Sequence, residues 1–147
     1  EYGLTFTVVD KDGLKTESTK RKLLVNRENH PPELLEVEAP SAAQLPAEGD
    51  VSIVLTCTVD DPQGLDDIQQ VWFDSTRPDG TAASGNPFQM YDNGLDGGDE
   101  TADDGLYTLT IYLPAGTTTG TYTFDFQVKD HGGLESNVIS HELTVVE

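Results

Sequence analysis

Residues 51–73 read VSIVLTCTVDDPQGLDDIQQVWF, and this stretch decides the class of fold. Its first half alternates apolar and polar residues, which predicts a β-strand with Val51, Ile53, Leu55, Cys57 and Val59 on one face. DDPQGLDD then supplies the proline, glycine and aspartate that turns prefer. IQQVWFDST follows as a second run rich in strand-forming residues, so the stretch predicts a strand, a turn and a strand.

Similar short runs lie on both sides of this stretch. ELLEVEAP precedes it, and NPFQMY, GLYTLTIYLP, GTYTFDFQVKD and NVISHELTVV follow it. Alternation predicts two further inward faces: Tyr107, Leu109, Ile111 and Leu113 in one strand, and Tyr122, Phe124, Phe126 and Val128 in another. About seven short strands in about 115 residues, without helical periodicity, predict an all-β antiparallel sandwich.

The beginning of the chain repeats its end. Residues 2–25 match residues 122–145 at a constant offset of 120 without a gap, including Tyr2 with Tyr122, Asp10 with Asp130 and Leu23 with Leu143. A repeat of this length indicates tandem copies of one domain. We therefore predict that residues 1–26 are the C-terminal hairpin of a preceding repeat, residues 27–32 a stiff proline-containing linker, and residues 33–147 a complete sandwich. The chain would then be a piece of a longer protein.

Charge supports this division and excludes some partners. Residues 1–27 carry six basic and four acidic residues, a net of +2, whereas residues 28–147 carry two basic and 23 acidic residues, a net of −21. The overall charge of −19 would repel nucleic acid and anionic membrane surfaces. A surface this acidic suits either a high-salt environment or a calcium-rich exterior. No apolar run is long enough for a membrane helix, so we expect no membrane insertion.

Several residues resemble those of immunoglobulin-like domains. Cys57 precedes Trp72 by 15 residues, and Tyr122 precedes Phe124 by two, as in the strand-B cysteine, strand-C tryptophan and tyrosine corner of that fold. Phe124 stands where the second cysteine would be, so no disulfide is expected. VDDPQGLDDIQQVWF and the acidic stretch after Met90 are similar to segments of bacterial and archaeal Ig-like repeat domains from large exported surface proteins. The resemblance implies a non-catalytic module with an extracellular or cell-surface location, whose partners are neighbouring repeats of the same chain.

The acidic stretch is the first candidate site. Residues 91–107 read YDNGLDGGDETADDGLY, and no lysine or arginine lies between Arg77 and Lys129 to balance its carboxylates. Oxygen ligands on a glycine-rich loop suit calcium, and the spacing fits a helix-loop-helix calcium loop incompletely. The predicted calcium ligands are Asp92, Asp96, Asp99 and Asp103. The alternative is a solvated connection in which Asp and Asn cap turns.

A second candidate lies where the linker enters the sandwich. Cadherin-like repeats hold their joints rigid with calcium in such places, and NRENHPP resembles their linkers. The acidic and amide residues that could meet there are Asp10, Asp12, Asn26, Glu28 and Asn29 with Asp60, Asp61, Asp66 and Asp130. The alternative is that polar loops gather at the ends of any sandwich.

No pattern predicts catalysis. Cys57 fits a small core residue, and the three histidines do not form a metal or triad signature. Three functions remain open: a structural or adhesion module, a module that binds a glycan or protein ligand, and an accessory domain of an extracellular hydrolase. Trp72 distinguishes the first two, because an exposed tryptophan among other aromatics favours binding, whereas a tryptophan packed between the sheets favours a spacer. The Ig resemblance places Trp72 inside, but the apolar neighbours Val71 and Phe73 would place it outside.

Overall fold

The computed structural model describes residues 2–5, 7–16, 20–23 and 28–147. In this part of the chain, every regular element except one short 3-10 helix is a β-strand. The strands are β1 (Tyr2–Thr5), β2 (Lys20–Leu23), β3 (Glu33–Glu38), β4 (Ala42–Gln44), β5 (Asp50–Asp60), β6 (Ile68–Thr76), β7 (Phe88–Gln89), β8 (Leu106–Pro114), β9 (Gly120–Asp130) and β10 (Ile139–Val146), with the 3-10 helix at Leu65–Asp67.

Eight of the described strands form two facing sheets. One sheet has the order β4-β10-β9-β6-β7, and the other has the order β3-β5-β8. The first segment of the domain crosses between them, since β3 pairs with β5 and β4 then pairs in parallel with β10. Pro40 lies between these two strands and cannot donate to a ladder, which explains the break. The all-β Ig-like sandwich predicted from the sequence is confirmed, and β4 is an eighth strand that was not predicted.

The core lies between the sheets and follows the predicted alternation. Leu55 and Cys57 of β5 face Phe73 of β6 and Phe126 of β9, and all four side chains are buried. Phe73 is the centre of an aromatic cluster, stacked on Phe88 with ring centroids 5.0 Å apart and tilted against Phe124 and Phe126 at 5.1 Å each. The predicted inward faces of β5, β8 and β9 all contribute to this core.

Trp72 lies on the outer face of β6, so the position implied by the Ig resemblance is wrong. Val71 and Phe73 point inward, and Trp72 is half-buried between Gln127 of β9 and Gln89 of β7 on the opposite side. The register of β6 against β9 shifts between Ile68 and Gln70. From Gln70 to Thr76 the pairing with β9 is regular, so Val71 and Phe73 share the inward face by alternation and Phe73 takes the central aromatic position.

The tyrosine corner is present. The Tyr122 hydroxyl donates a hydrogen bond to the carbonyl oxygen of Thr118 at 2.9 Å, a few residues upstream as the Ig resemblance implies. Phe124, which replaces the second cysteine, is buried against Phe73. The Phe124 ring thus fills the core position of the second cysteine, and its contact with Phe73 lies within one sheet, because β6 and β9 are neighbouring strands.

The N-terminal hairpin has the same register as the hairpin at the end of the chain. Tyr2 pairs with Leu23 in β1 and β2, and Tyr122 pairs with Leu143 in β9 and β10. Their turns match as well, because Asp10 accepts a hydrogen bond from the Leu14 amide and Asp130 accepts one from the Leu134 amide, at 2.9 and 2.8 Å. Residues 1, 6, 17–19 and 24–27 lie outside the described residues, so part of the predicted linker and Asn26 are not located. The predicted domain boundaries stay predictions.

The thiol of Cys57 is expected to be unreactive in the folded protein. It is 1% exposed and lies 3.7 Å from the Met90 sulfur, and burial raises its pKa to about 12. Because the thiolate is the reactive form, alkylation at pH 8 should be at least about 100-fold slower in buffer than in 8 M urea. The measurement is iodoacetamide labelling followed by mass spectrometry. Equal rates in the two solvents would contradict the burial of this residue.

Candidate metal centre at the linker end of the sandwich

Three carboxylates converge where β5 ends and β6 begins. One oxygen from each of Asp61, Asp67 and Asp130 lies within 4.8 Å of the others. Asp61 follows β5, Asp67 ends the 3-10 helix and Asp130 ends β9. They form the one group of three or more potential metal-ligating side chains in the described part of the chain.

The backbone of DDPQGLDD holds the first two carboxylates in place. The Asp61 carbonyl accepts a hydrogen bond from the Gly64 amide at 2.8 Å, and Asp61 Oδ1 accepts one from the Gln63 amide at 2.6 Å. Gly64 has a φ of 105°, which a residue with a side chain rarely adopts. The His131 amide donates to the Asp67 carbonyl at 2.8 Å, so the turn after β9 is tied directly to the 3-10 helix.

The site is largely desolvated and strongly negative. Asp130 is fully buried, Asp61 is 4% exposed and Asp67 is half-buried. Leu134 N–H donates to Asp130 Oδ1 and Asn29 Nδ2 donates to Asp130 Oδ2. The Asp61 Oδ2 atom, by contrast, is buried and has no hydrogen-bond partner among the described residues. In the described part of the chain, the ion pair that the structure shows joins Lys129 to Glu135 and involves none of the three aspartates.

Residues 29 and 30, which belong to the predicted linker, contact this site directly. Asn29 Nδ2 lies 2.8 Å from Asp130 Oδ2, and the His30 amide donates to Gln63 Oε1 at 3.0 Å. Gly132 makes the first contact possible, because a Cβ at this position would overlap Asn29 Nδ2. Asn29 and His30 therefore lie against the same turns that carry the carboxylates.

The sequence located this second site only in part. Asp61, Asp130 and Asn29 are brought together as expected, whereas Asp60 is exposed and Asp67, not Asp66, completes the group. Asp67 lies beside the turn after β9 because the next residue, Ile68, pairs with Asp130. The sequence of a single strand does not reveal which residue of another strand it pairs with.

Of the described residues proposed for the joint, Asp10, Asp12, Glu28, Asp60 and Asp66 do not belong to the group of carboxylates. Asp10 accepts hydrogen bonds from the amides of Asp12 and Leu14 in its own exposed turn. Glu28 is exposed and does not belong to the group of carboxylates. The turn at Asp10 lies at the end of the β1–β2 hairpin away from the linker, which explains why it does not contribute.

The acidic loop between β7 and β8 is organised by its own backbone. Asp92 accepts hydrogen bonds from the amides of Gly105 and Asp104 at 2.9 and 3.2 Å, and Asp96 accepts one from Asn93 Nδ2 at 2.8 Å. Asp99 is nearly buried and accepts from the Gly94 amide, while Asp103 has a φ of 60°. Partial burial raises the pKa of Asp92, although its two amide donors act in the opposite direction. Asp92 and Asp99 thus accept backbone amides of the loop, and calcium binding by the four predicted ligands stays a prediction.

Comparisons with known proteins found similarity to solved structures at low sequence identity. No family model matches the chain, and no curated protein matches it. Among solved structures, the PKD domain of an M14-like peptidase from a Thermoplasmatales archaeon is 17% identical, with 82% of this chain and 100% of that chain covered and a TM-score of 0.47. Fibronectin(III)-like modules of CbhA from Clostridium thermocellum are 20% identical, with 99% and 62% covered and a TM-score of 0.46. A Niemann-Pick type C2 protein from the Japanese carpenter ant is 7% identical, with 84% and 99% covered and a TM-score of 0.39.

Proposed function

We propose that this chain is a non-catalytic structural module of an exported multi-domain protein, in which Ig-like repeats follow one another and act as a spacer or adhesion stalk. The observation that carries the proposal is the N-terminal hairpin. Its sequence matches β9 and β10 at an offset of 120, and its strand register and turn hydrogen bonds match theirs residue by residue.

A two-stranded hairpin needs more strands to form a core. Two strands alone are marginally stable in water, so β1 and β2 require the rest of a sandwich. The copy of this hairpin at the other end of the chain lies inside such a sandwich, where β9 pairs with β6 and β10 pairs with β4. This supports a preceding repeat as the neighbour of the complete domain.

The buried cysteine agrees with a non-catalytic module. The single cysteine is a buried core residue with a raised pKa, which is unsuited to nucleophilic catalysis. The described part of the chain contains no helix that is long and apolar enough to cross a membrane. An extracellular location rests on the resemblance to repeats of surface proteins, and it would place the acidic surface in a calcium-rich medium.

Limited trypsin digestion tests the division into two units. Of the eight basic residues, six lie in residues 11–27, and only Arg77 and Lys129 lie beyond them. Lys129 is within β9, and Arg77 is not a trypsin site because Pro78 follows it. We therefore expect rapid cleavage up to Arg27 and a persistent fragment that begins at Glu28, with chelator present throughout. A digest in urea is the control, and cleavage at Lys129 as fast as at Arg27 in buffer would contradict an independent sandwich.

The ligand-binding alternative rests on Trp72. Its ring lies on the outer face of β6, where a glycan could stack on it, but its cross-strand neighbours are Gln89 and Gln127 rather than aromatic residues. A single half-buried ring without aromatic neighbours gives less support to a binding face than the repeated hairpin gives to a spacer. The hydrolase-accessory alternative concerns the longer protein and has no residue of this chain in its favour.

A further inference from the structure

We propose that Asp61, Asp67 and Asp130 bind one calcium ion, and that this ion fastens the linker at Asn29 to the sandwich. The binding of the ion is a property of this domain alone. Its role at the joint rests on the proposed function, because only a multi-domain protein has a joint to hold.

The charge of the cluster is the first reason. Three carboxylate oxygens lie within 4.8 Å of one another, in a region where two of the three side chains are at least nine-tenths buried. Like charges this close repel each other strongly in a partly desolvated site. Lys129 pairs with Glu135, so the ion pair seen among the described residues does not neutralise these three carboxylates. A divalent cation removes most of this repulsion.

The second and independent reason is an unpartnered buried oxygen. Asp61 Oδ1 accepts the Gln63 amide, but Asp61 Oδ2 has no donor among the described residues. Buried polar atoms are almost always satisfied, and a buried carboxylate oxygen without a donor is a costly exception. Asp61 belongs to the cluster, so its carboxylate can offer a cation an oxygen that no donor of the described residues occupies.

The donor atoms select calcium among common cations. The cluster consists only of carboxylate oxygens, without the histidine or cysteine that zinc and other transition metals prefer. Calcium binds such oxygens at about 2.3–2.6 Å in irregular geometry, so oxygens on opposite sides of the ion lie about 5 Å apart. The observed limit of 4.8 Å fits that span. Magnesium demands a smaller and more regular octahedron.

Asn29 couples the ion to the linker. Its amide contacts Asp130, one of the proposed ligands, and rotation of the amide by about 180° would present Oδ1 to the same point. The adjacent His30 amide is bonded to Gln63, which follows the ligand Asp61 closely in the chain. An ion held by Asp61 and Asp130 would therefore fix the turns against which residues 29 and 30 rest.

Thermal unfolding of the full chain tests the binding site. Wild type, Asp61→Asn and Asp96→Asn are melted in 5 mM calcium chloride and in EGTA, with sodium chloride added to equalise ionic strength. A ligand that binds only the folded state at about 100 times its Kd should raise the Tm of wild type by about 8–12 °C. We expect Asp61→Asn to lose this shift and to be at least as stable as wild type in EGTA, because it removes an unpartnered buried charge. Asp96→Asn, the matched control in the acidic loop, should keep the shift.

Each other outcome overturns the proposal. An unchanged wild-type Tm excludes a calcium site, and a shift that survives in Asp61→Asn moves the site elsewhere. Loss of the shift in Asp96→Asn alone assigns calcium to the acidic loop. Isothermal titration with calcium provides a readout that does not depend on stability, with an expected stoichiometry of one for wild type and a loss of at least about 100-fold in affinity for Asp61→Asn.

Hydrogen exchange tests the linker half of the proposal. The His30 amide should exchange at least about tenfold more slowly in calcium than in EGTA, and this difference should shrink in Asn29→Ala. If calcium binds but leaves exchange at His30 unchanged, the ion belongs to the sandwich alone. The trypsin experiment is performed in chelator, so failure of the calcium site leaves the proposed spacer function separately testable.

Discussion

Replacing Phe73 with alanine is expected to lower the free energy of unfolding by about 3–5 kcal/mol, the usual cost of removing a large core aromatic. Phe73 is 1% exposed and contacts three other phenylalanine rings with centroid distances of 5.0–5.1 Å. Its neighbours come from both directions along the five-stranded sheet, so the structure cannot close the cavity by moving one strand. Equilibrium urea unfolding, monitored by far-UV circular dichroism, measures the change.

Trp72→Ala is the matched control for this prediction. Trp72 is the adjacent residue and has the larger side chain, but it lies half-buried on the outer face between two glutamines. We expect it to cost no more than about 1.5 kcal/mol, since only part of its apolar surface is removed from water. A larger loss for Trp72→Ala than for Phe73→Ala would place the tryptophan in the core and contradict the observed register.

Replacing Gly97 with alanine is expected to cost about 3 kcal/mol, although the residue lies in a loop. Its φ is 66°, where a side chain costs about 1–2 kcal/mol. In addition, a Cβ would lie 2.7 Å from the Thr108 carbonyl oxygen and 2.9 Å from Tyr91 Cδ2. The first of these is backbone of β8 and cannot rotate away, so the loop must shift and its hydrogen bond from the Thr110 amide to the Gly97 carbonyl weakens. The same urea unfolding measurement applies.

Gly80→Ala is the control that separates the cost of the backbone conformation at Gly97 from the cost of the steric overlap there. Gly80 has a φ of 80° with no atom within 4 Å of an added Cβ, so only the backbone term remains and the loss should be about 1 kcal/mol. Equal losses at the two positions would show that the acidic loop is not held against β8. A large difference would confirm that this loop is a fixed part of the fold, with Thr108 buried beneath it.

The strands and their faces could be predicted because they depend on local periodicity. Val71 and Phe73 are the more apolar pair in β6, and they are the residues that the core contains. The short strand β4 was missed because Ala42–Gln44 spans three residues, too few to establish an alternating pattern. Its pairing with β10 depends on a strand at the other end of the chain.

The candidate metal centre was predictable in location but not in membership. Asp61 and Asp130 follow two strands that end at the same side of the sandwich, which alternation and turn residues already suggest. The choice of Asp67 over Asp66 depends on the direction in which the 3-10 helix points each side chain. Two adjacent aspartates are identical residues, so the sequence does not show which of them points toward the other carboxylates. In the acidic loop, the sequence indicated many carboxylates, but their use as acceptors for nearby amides depends on the path of the loop.

By itself, the sequence determined the all-β class, the inward faces of β5, β8 and β9, and the likeness of the two hairpins. These features follow from the alternation of side chains along a strand, which is a property of consecutive residues. Only the tertiary structure decided that Asp61, Asp67 and Asp130 meet near Asn29. The reason is that a bulge and the pairing of distant strands set the register, and register alone determines which distant side chains become neighbours.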